Sequence, residues 1–237
     1  MSVVSRIDER ELAIELLHSV KKFFKFRELE SLLGISTPMI WRYIHGEVKP
    51  SVDRAREIIS KLLSREVLEM IKSRVLQVKE GGIVNVYPLA YSVEILTIAS
   101  IDALLWASKF SPTCVMTTEV DGIPLATLIA KRFGIKMVVA KRRRELGYSN
   151  FYETTYMSYD PPELRSLYVP KDLLDEEDRA LIVDDLVRSG RTTLALVEIA
   201  RKAKAEIVGL YALLSVGDRW KQAIEGVVPS YRTLFEV

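Results

Sequence analysis

ALIVDDLVRSGRTT, Ala180 to Thr193, is the stretch whose reading decides the fold. Four apolar residues run into two adjacent aspartates, then into a short loop ending Ser-Gly-Arg-Thr-Thr, and helical spacing follows at once. An apolar run of this length bounded by a turn and a helix reads as a buried strand of a parallel sheet. In open α/β sheets ligands bind beyond the carboxyl ends of the strands, which is where Asp184 and Asp185 stand. Two carboxylates there can accept hydrogen bonds from a vicinal diol. The loop's backbone N–H groups and the helix N-terminus can cup a phosphate. Gly190 lets the backbone approach closely, and Arg188, Ser189, Arg191 and Thr192 add charge and hydroxyls. A diol at one end and a phosphate at the other describe a ribose 5-phosphate group.

Working outward, the C-terminal two thirds alternates strands with helices. Ile83–Ala90, Cys114–Met116, Ile135–Ala140, Leu181–Val183 and Ile207–Leu214 read as strands. Val93–Ala107, Pro124–Phe133 and Thr193–Ala203 read as helices. Such alternation predicts an α/β domain, a parallel sheet flanked by helices. A polar and aromatic section, Glu145–Ser166, interrupts it. Gly81-Gly82 breaks the pattern on the N-terminal side. Residues 1–64 read instead as an all-α domain of short helices, and 65–81 as a linker helix, so the α/β domain spans 82–237. Phe26–Ser51 has the spacing of a helix–turn–helix: Leu29, Leu32 and Leu33 face a core, Ser36 caps a second helix, and Ile40 and Ile44 bury one face of it. The other face presents Thr37, Met39, Trp41 and Arg42, with Lys49 just beyond.

The 237 residues carry 34 Lys+Arg against 32 Asp+Glu, and the excess of two lies within residues 1–64. That is too small a surplus to indicate nucleic-acid binding by itself. The single cysteine, Cys114, excludes an internal disulfide. Charge in the first ten residues leaves no room for a signal peptide, and Asp102 interrupts the longest apolar run, so no membrane association and a cytoplasmic location are expected.

LIVDDLVRSGRT resembles the phosphoribosyl pyrophosphate (PRPP) motif of type I phosphoribosyltransferases. TTEVDGIPLA, Thr117 to Ala126, resembles the pyrophosphate loop of the same family. The resemblance covers residues 82 to about 217 and implies the type I phosphoribosyltransferase fold. It also implies PRPP or ribose phosphate binding by Asp184, Asp185 and residues 188–192. Pyrophosphate contacts from Thr118, Glu119, Val120, Asp121 and Gly122 are implied too, with Lys141 and Arg142 nearby. Mg²⁺ accompanying PRPP is the one cofactor implied, and no metal site is built by the protein alone. Val216 and Trp220 are candidates for a base-pocket wall. Between Glu145 and Leu164 there is no Lys or Arg, and acids stand at Glu119 and Asp121. These departures argue against turnover, so no catalytic residue is assigned.

The N-terminal pattern resembles phage-repressor helix–turn–helix regulators. The combination is similar to archaeal transcription regulators of the GfcR type and, in plan, to bacterial purine repressors. The expected function is therefore a DNA-binding transcription regulator that senses PRPP or a related phosphorylated ribose. Ser36, Thr37, Met39, Trp41, Arg42 and Lys49 would meet duplex DNA, and a homodimer or higher oligomer would match operator symmetry. The alternative is an active phosphoribosyltransferase, orotate- or purine-specific, with an accessory helical domain. A nucleotide-binding module without either activity is a third reading.

Overall fold

The structure, a computed structural model, describes residues 8–76, 78–79, 83–159 and 162–237. Gln77 and residues 80–82, where the linker break is expected, lie outside the described residues, as does Asp160. The chain divides into two compact units, Met1–Asp102 and Ala103–Val237. No described helix is long and apolar enough to cross a membrane.

In the first unit the helices are α1 (Glu9–Val20), α2 (Phe26–Leu33), α3 (Thr37–Ile44), α4 (Val52–Leu62) and α5 (Arg65–Val75). Their starts follow from capping. The Asp8 side chain accepts from Arg10 N, that of Ser51 from Arg54 N, and that of Ser64 from Val67 N. Leu16, Leu17, Leu29, Leu33, Ile40, Ile58 and Leu62 are buried and form the core of this unit. A two-residue ribbon, β1 (Val78–Lys79) with β2 (Ile83–Val84), and a short helix, α6 (Tyr87–Ala90), follow. The strand expected over Ile83–Ala90 thus stops at Val84. Asn85 accepts a hydrogen bond from Tyr87 N through its side chain and Pro88 opens a helical turn, both of which end a strand. The next helix, α7, spans Val93–Ala107 as the apolar spacing predicts.

The N-terminal helices are present, but the face expected to read DNA is not a basic one. The Thr37 hydroxyl donates to Glu30 at 2.6 Å. Arg42 pairs with Glu47 at 3.5 Å, Lys49 pairs with Glu11, and Trp41 stacks on His45. Ser36 and Met39 flank these groups without adding charge. Affinity for DNA comes mainly from cations facing phosphates, and here each expected cation already faces a carboxylate.

The second unit is a parallel five-stranded sheet. Its strands are β3 (Cys114–Thr118), β4 (Lys136–Ala140), β7 (Arg179–Val187), β8 (Glu206–Ser215) and β9 (Tyr231–Glu236), in the order β4-β3-β7-β8-β9. Helix α8 (Ile123–Phe133) links β3 to β4, and α9 (Arg191–Ala203) links β7 to β8. One face buries Met116, Val138, Ile182 and Leu210 against Leu196, Ile199 and Ala200 of α9. The polar and aromatic section Glu145–Ser166, given no element from the sequence, enters an antiparallel hairpin of β5 (Phe151–Tyr159) and β6 (Pro162–Pro170). Alternation explains it: Tyr152 and Tyr156, with Leu167 and Val169, turn toward the core while Glu153 and Thr155 face out. After β8 come α10 (Arg219–Ile224) and the edge strand β9, neither of which the pattern predicted.

Candidate active site

β7 carries Asp184 and Asp185 to the carboxyl end of the central strand. Asp184 lies level with Ala212 of β8, is 5% exposed, and accepts a hydrogen bond from Asp185 N at 3.1 Å. Burial pushes its carboxyl well above the usual carboxylate range, and the neighbouring Asp185 carboxylate pushes it further. Asp185 is raised as well, first by burial and, among charges, by Asp121. Asp121 acts on both acids, so the loop after β3 and the end of β7 converge on one spot. Both carboxyls therefore hold a proton more tightly than an ordinary aspartate does, and hydroxyl donors or a cation beside them would favour the ionised form.

The loop after β3 is built for close approach. The Glu119–Val120 peptide is cis. Glu119 N donates to Ala140 O at 3.2 Å, and its carboxylate accepts from Arg142 N at 2.7 Å, which ties this loop to the end of β4. A Cβ on Gly122 would stand 2.5 Å from Thr117 Oγ1 and 3.5 Å from Asp184 Oδ1, so only glycine fits there. Among the described residues the Thr117 hydroxyl is the one buried side-chain polar atom without a hydrogen-bond partner. An orphan hydroxyl beside a buried acid pair costs free energy unless a ligand oxygen or an ordered water completes it. The sequence places Thr117 at the head of the pyrophosphate-type loop without a contact of its own; in the structure it is still part of β3, and a hydroxyl where strand meets loop was the available signal.

On the other side of the acid pair, Gly190 is the left-handed N-cap of α9, with φ 74°, and its carbonyl accepts from Leu194 N at 2.9 Å. A Cβ on Gly190 would meet Trp220 O at 3.2 Å, Ala223 Cβ at 3.2 Å and Ile224 Cγ2 at 3.3 Å. Helix α10 thus backs the loop, a support the sequence pattern did not reveal. Arg188 and Ser189 are exposed and Thr192 is half-buried at the mouth of the cup. Arg191 is used differently from expectation: its Nη1 donates to Met157 O of the hairpin at 2.5 Å. Thr154 Oγ1 to Glu198 at 2.5 Å and Lys202 Nζ to Glu153 O at 2.6 Å add further ties, so α9 is clamped to the hairpin. Trp220 cannot wall an open base pocket. It is fully buried, with its Nε1 donating to Gly217 O and its ring edge-on to Tyr231; Val216 is half-buried nearby in sequence. Lys141 pairs with Glu145, and Arg142 meets the pyrophosphate-type loop through its backbone N–H rather than its guanidinium. Thr118 and Glu119 are half-buried, while Val120 and Asp121 stand exposed at the loop's crest. The described residues include no group of three or more His, Cys, Asp or Glu able to hold a metal by themselves.

Residues 92–230 match the family model described as the phosphoribosyl transferase domain. The xanthine phosphoribosyltransferase of Geobacillus thermodenitrificans (strain NG80-2) is 39% identical over 100 residues, which are 42% of this chain and 52% of that protein. That of Staphylococcus carnosus (strain TM300) is 33% identical over 99 residues, 41% of this chain and 52% of the relative. The chain thus spans about half the length of these curated relatives. The adenine phosphoribosyltransferase structure from Thermoanaerobacter pseudethanolicus ATCC 33223 superposes with a TM-score of 0.63 at 18% identity, covering 72% of this chain and 99% of that one. The enzyme from Rhodothermus marinus DSM 4252 gives 0.63 at 19%, covering 73% and 100%. At these identities the structural likeness shows the fold.

The relatives are named as transferases, which overturns the expectation of a DNA-binding transcription regulator with duplex DNA as its partner. The pairing of Arg42 and Lys49 with carboxylates lends that expectation no support either, and the transferase alternative agrees with the names of the relatives. The acid pair, the glycine-capped cup and the matched span agree, and the chain belongs to the phosphoribosyl transferase domain family.

Proposed function

We propose that the chain is an active phosphoribosyltransferase that moves ribose 5-phosphate from PRPP to a ring nitrogen of a purine base. The observation that carries this reading is the convergence of Asp184, Asp185 and Asp121 beside the Gly190 cup. The transferase names of the relatives support it, and those names, xanthine and adenine phosphoribosyltransferase, favour a purine over orotate.

In this reading Asp184 and Asp185 accept the ribose hydroxyls. The N–H groups of 188–192, with Ser189 and Thr192, hold the 5-phosphate. Thr118 to Gly122 receive the pyrophosphate, and Thr117 Oγ1 gains its missing partner. The base nitrogen bonds to the anomeric carbon as the bond from that carbon to pyrophosphate breaks, and the nitrogen's proton leaves to solvent. An acid-rich loop suits Mg²⁺ delivered with PRPP, because Mg²⁺ is commonly held by one or two carboxylates plus substrate phosphates. When bound, the ion would neutralise pyrophosphate charge. That removes the objection raised by acids at 119 and 121. Residues 1–64 then form an accessory helical domain and 82–237 the transferase domain, while the linker helix expected over 65–81 is helical only over Arg65–Val75 and gives way to a strand at Val78–Lys79; a cytoplasmic location goes with this reading.

The test is pyrophosphate release from PRPP and Mg²⁺ with xanthine, adenine, guanine or hypoxanthine in turn. Steady release with one base, lost in Asp184→Asn, is expected. No release with any of them, alongside normal PRPP binding, refutes transfer while leaving ribose phosphate binding intact.

A further inference from the structure

The open edge of the sheet carries a cavity whose lining does not include the acid pair or the Gly190 loop. The hairpin joins β4 at one rung only: Lys141 N donates to Tyr168 O at 3.0 Å, and Tyr168 N donates to Lys141 O at 2.8 Å. The next rung would need a donor at Pro170, which has no N–H, so the pairing ends there. A cavity of about 300 Å³ opens between the two strands. Met137 and Val139, alternate residues of β4, line it from the sheet. Phe151, Tyr168 and Tyr148 supply aromatic walls; Phe151 stands edge-on to both tyrosines, at 6.3 Å from Tyr168 and 6.5 Å from Tyr148.

The charged residues around the cavity are not equivalent. Lys141 pairs with Glu145, so that part of the rim is neutral. Arg144 pairs with Glu153 at 2.8 Å and lies over the Phe151 and Tyr168 rings. Arg143 lines the cavity and is exposed, with neither a hydrogen bond nor an ion pair among the described residues. A mostly apolar, aromatic-walled cavity with one uncompensated guanidinium at its mouth selects a ring that carries an anion. The volume is at the lower end for small-molecule pockets, enough for one ring system and its phosphate.

We propose that this edge-strand cavity is a second binding site, for a planar aromatic ligand bearing a phosphate, of the nucleoside monophosphate class, with Arg143 on the phosphate. It lies along the outer side of β4, whereas the acid pair stands at the end of β7, and the proposal does not depend on the transferase reading.

The experiment uses the full chain carrying Asp184→Asn and Asp185→Asn, which removes both diol-accepting carboxylates and so weakens the ribose phosphate site, with titration by ribose 5-phosphate reading what remains of it. Calorimetric titration with adenosine 5′-monophosphate should show one site per chain. Adenosine, which lacks the anion, and ribose 5-phosphate, which lacks the ring, should each bind at least about tenfold more weakly. Adding Arg143→Ala should weaken the nucleotide about tenfold or more, the effect of losing one charge-assisted hydrogen bond. Val139→Phe, which fills the cavity, should abolish binding with the circular dichroism spectrum unchanged. No nucleotide binding to the chain with the two Asn substitutions overturns the proposal, as does binding that survives both Arg143→Ala and Val139→Phe. Pyrophosphate release by the unaltered chain is measured separately, so a failure of the transferase reading shows there and not in these titrations.

Discussion

Gly190→Ala tests whether the phosphate cup is held by α10. Two costs can be separated. The first is conformational: at φ 74° a Cβ crowds its own backbone, at about 1–2 kcal/mol. The second is packing. The new methyl would meet Trp220 O at 3.2 Å, Ala223 Cβ at 3.2 Å and Ile224 Cγ2 at 3.3 Å. Two of these atoms belong to buried residues, and Trp220 O is backbone, so relief requires moving the helix. Overpacking of this kind costs about 1–3 kcal/mol. Gly226 supplies the control, since it has the same φ of 74° and nothing within 4 Å of an added Cβ.

Gly226→Ala should therefore cost about 1.5 kcal/mol and Gly190→Ala about 3 kcal/mol. At about 3 °C per kcal/mol for a chain of this size, calorimetry should show Tm falling by about 4 °C and about 9 °C respectively. The two variants part more sharply in PRPP affinity. A cup displaced by a few tenths of an ångström loses aligned N–H donors, and each charge-assisted hydrogen bond carries about 1.5–3 kcal/mol, so Kd should rise at least about tenfold in Gly190→Ala and stay unchanged in Gly226→Ala. Equal Tm losses together with unchanged PRPP affinity in Gly190→Ala would refute the idea that α10 sets the cup.

Asp184→Asn should raise the stability of the unliganded chain while weakening PRPP binding by about tenfold to a hundredfold. The sign follows from the raised carboxyl: folding holds the proton more tightly than the unfolded chain does. The native contribution is complete below the ordinary Asp value near 3.9 and is lost as pH rises through the folded value. The gain in Tm should thus be larger at pH 8 than at pH 4, and a gain independent of pH would refute the protonation argument. Thr117→Val removes the unpartnered hydroxyl at nearly constant shape and should stabilise the unliganded chain by about 1–2 kcal/mol in urea denaturation. The same variant should bind PRPP more weakly; unchanged binding would mean that the hydroxyl meets water alone.

The site was legible where its chemistry is local. The acids, the glycine and the hydroxyls of 184–192 are consecutive, and the order strand, loop, helix follows from apolar spacing. What escaped the sequence is long-range. Arg191 reaches Met157, 34 positions away, across a hairpin whose two-residue periodicity is masked by interior aromatics facing α9. Helix α10 touches Gly190 from some 30 residues downstream, and nothing in RWKQAI announces that contact. The N-terminal reading failed for the same reason. The spacing of Leu29, Leu33 and Ile40 reports a buried helix face, which they form. It cannot report that Lys49 meets Glu11, 38 positions earlier, or that Thr37 meets Glu30. Helical periodicity shows how a unit packs, whereas DNA binding depends on the charge left uncompensated after packing.

The strained features of the α/β unit share a place. The buried acid pair and the orphan Thr117 hydroxyl meet at the ends of β3 and β7 on either side of Gly122, and the left-handed Gly190 caps the helix that follows β7. The first two lower the stability of the chain, whereas Gly190 is the residue type that its φ and the neighbouring atoms of α10 allow. Polar rules broken together in one spot, inside a sheet otherwise packed with Met116, Val138, Ile182 and Leu210, are the mark of a site shaped for something other than folding. Their rigid surroundings have the same logic. Three ties clamp α9 to the hairpin, and α10 backs the cup, so the groups that need a ligand cannot relax toward one another in its absence. A ligand that donates to the acids and accepts from Thr117 relieves both costs at once. The free energy that the fold gives up at the acid pair and Thr117 therefore returns as affinity and as ligand-dependent stability.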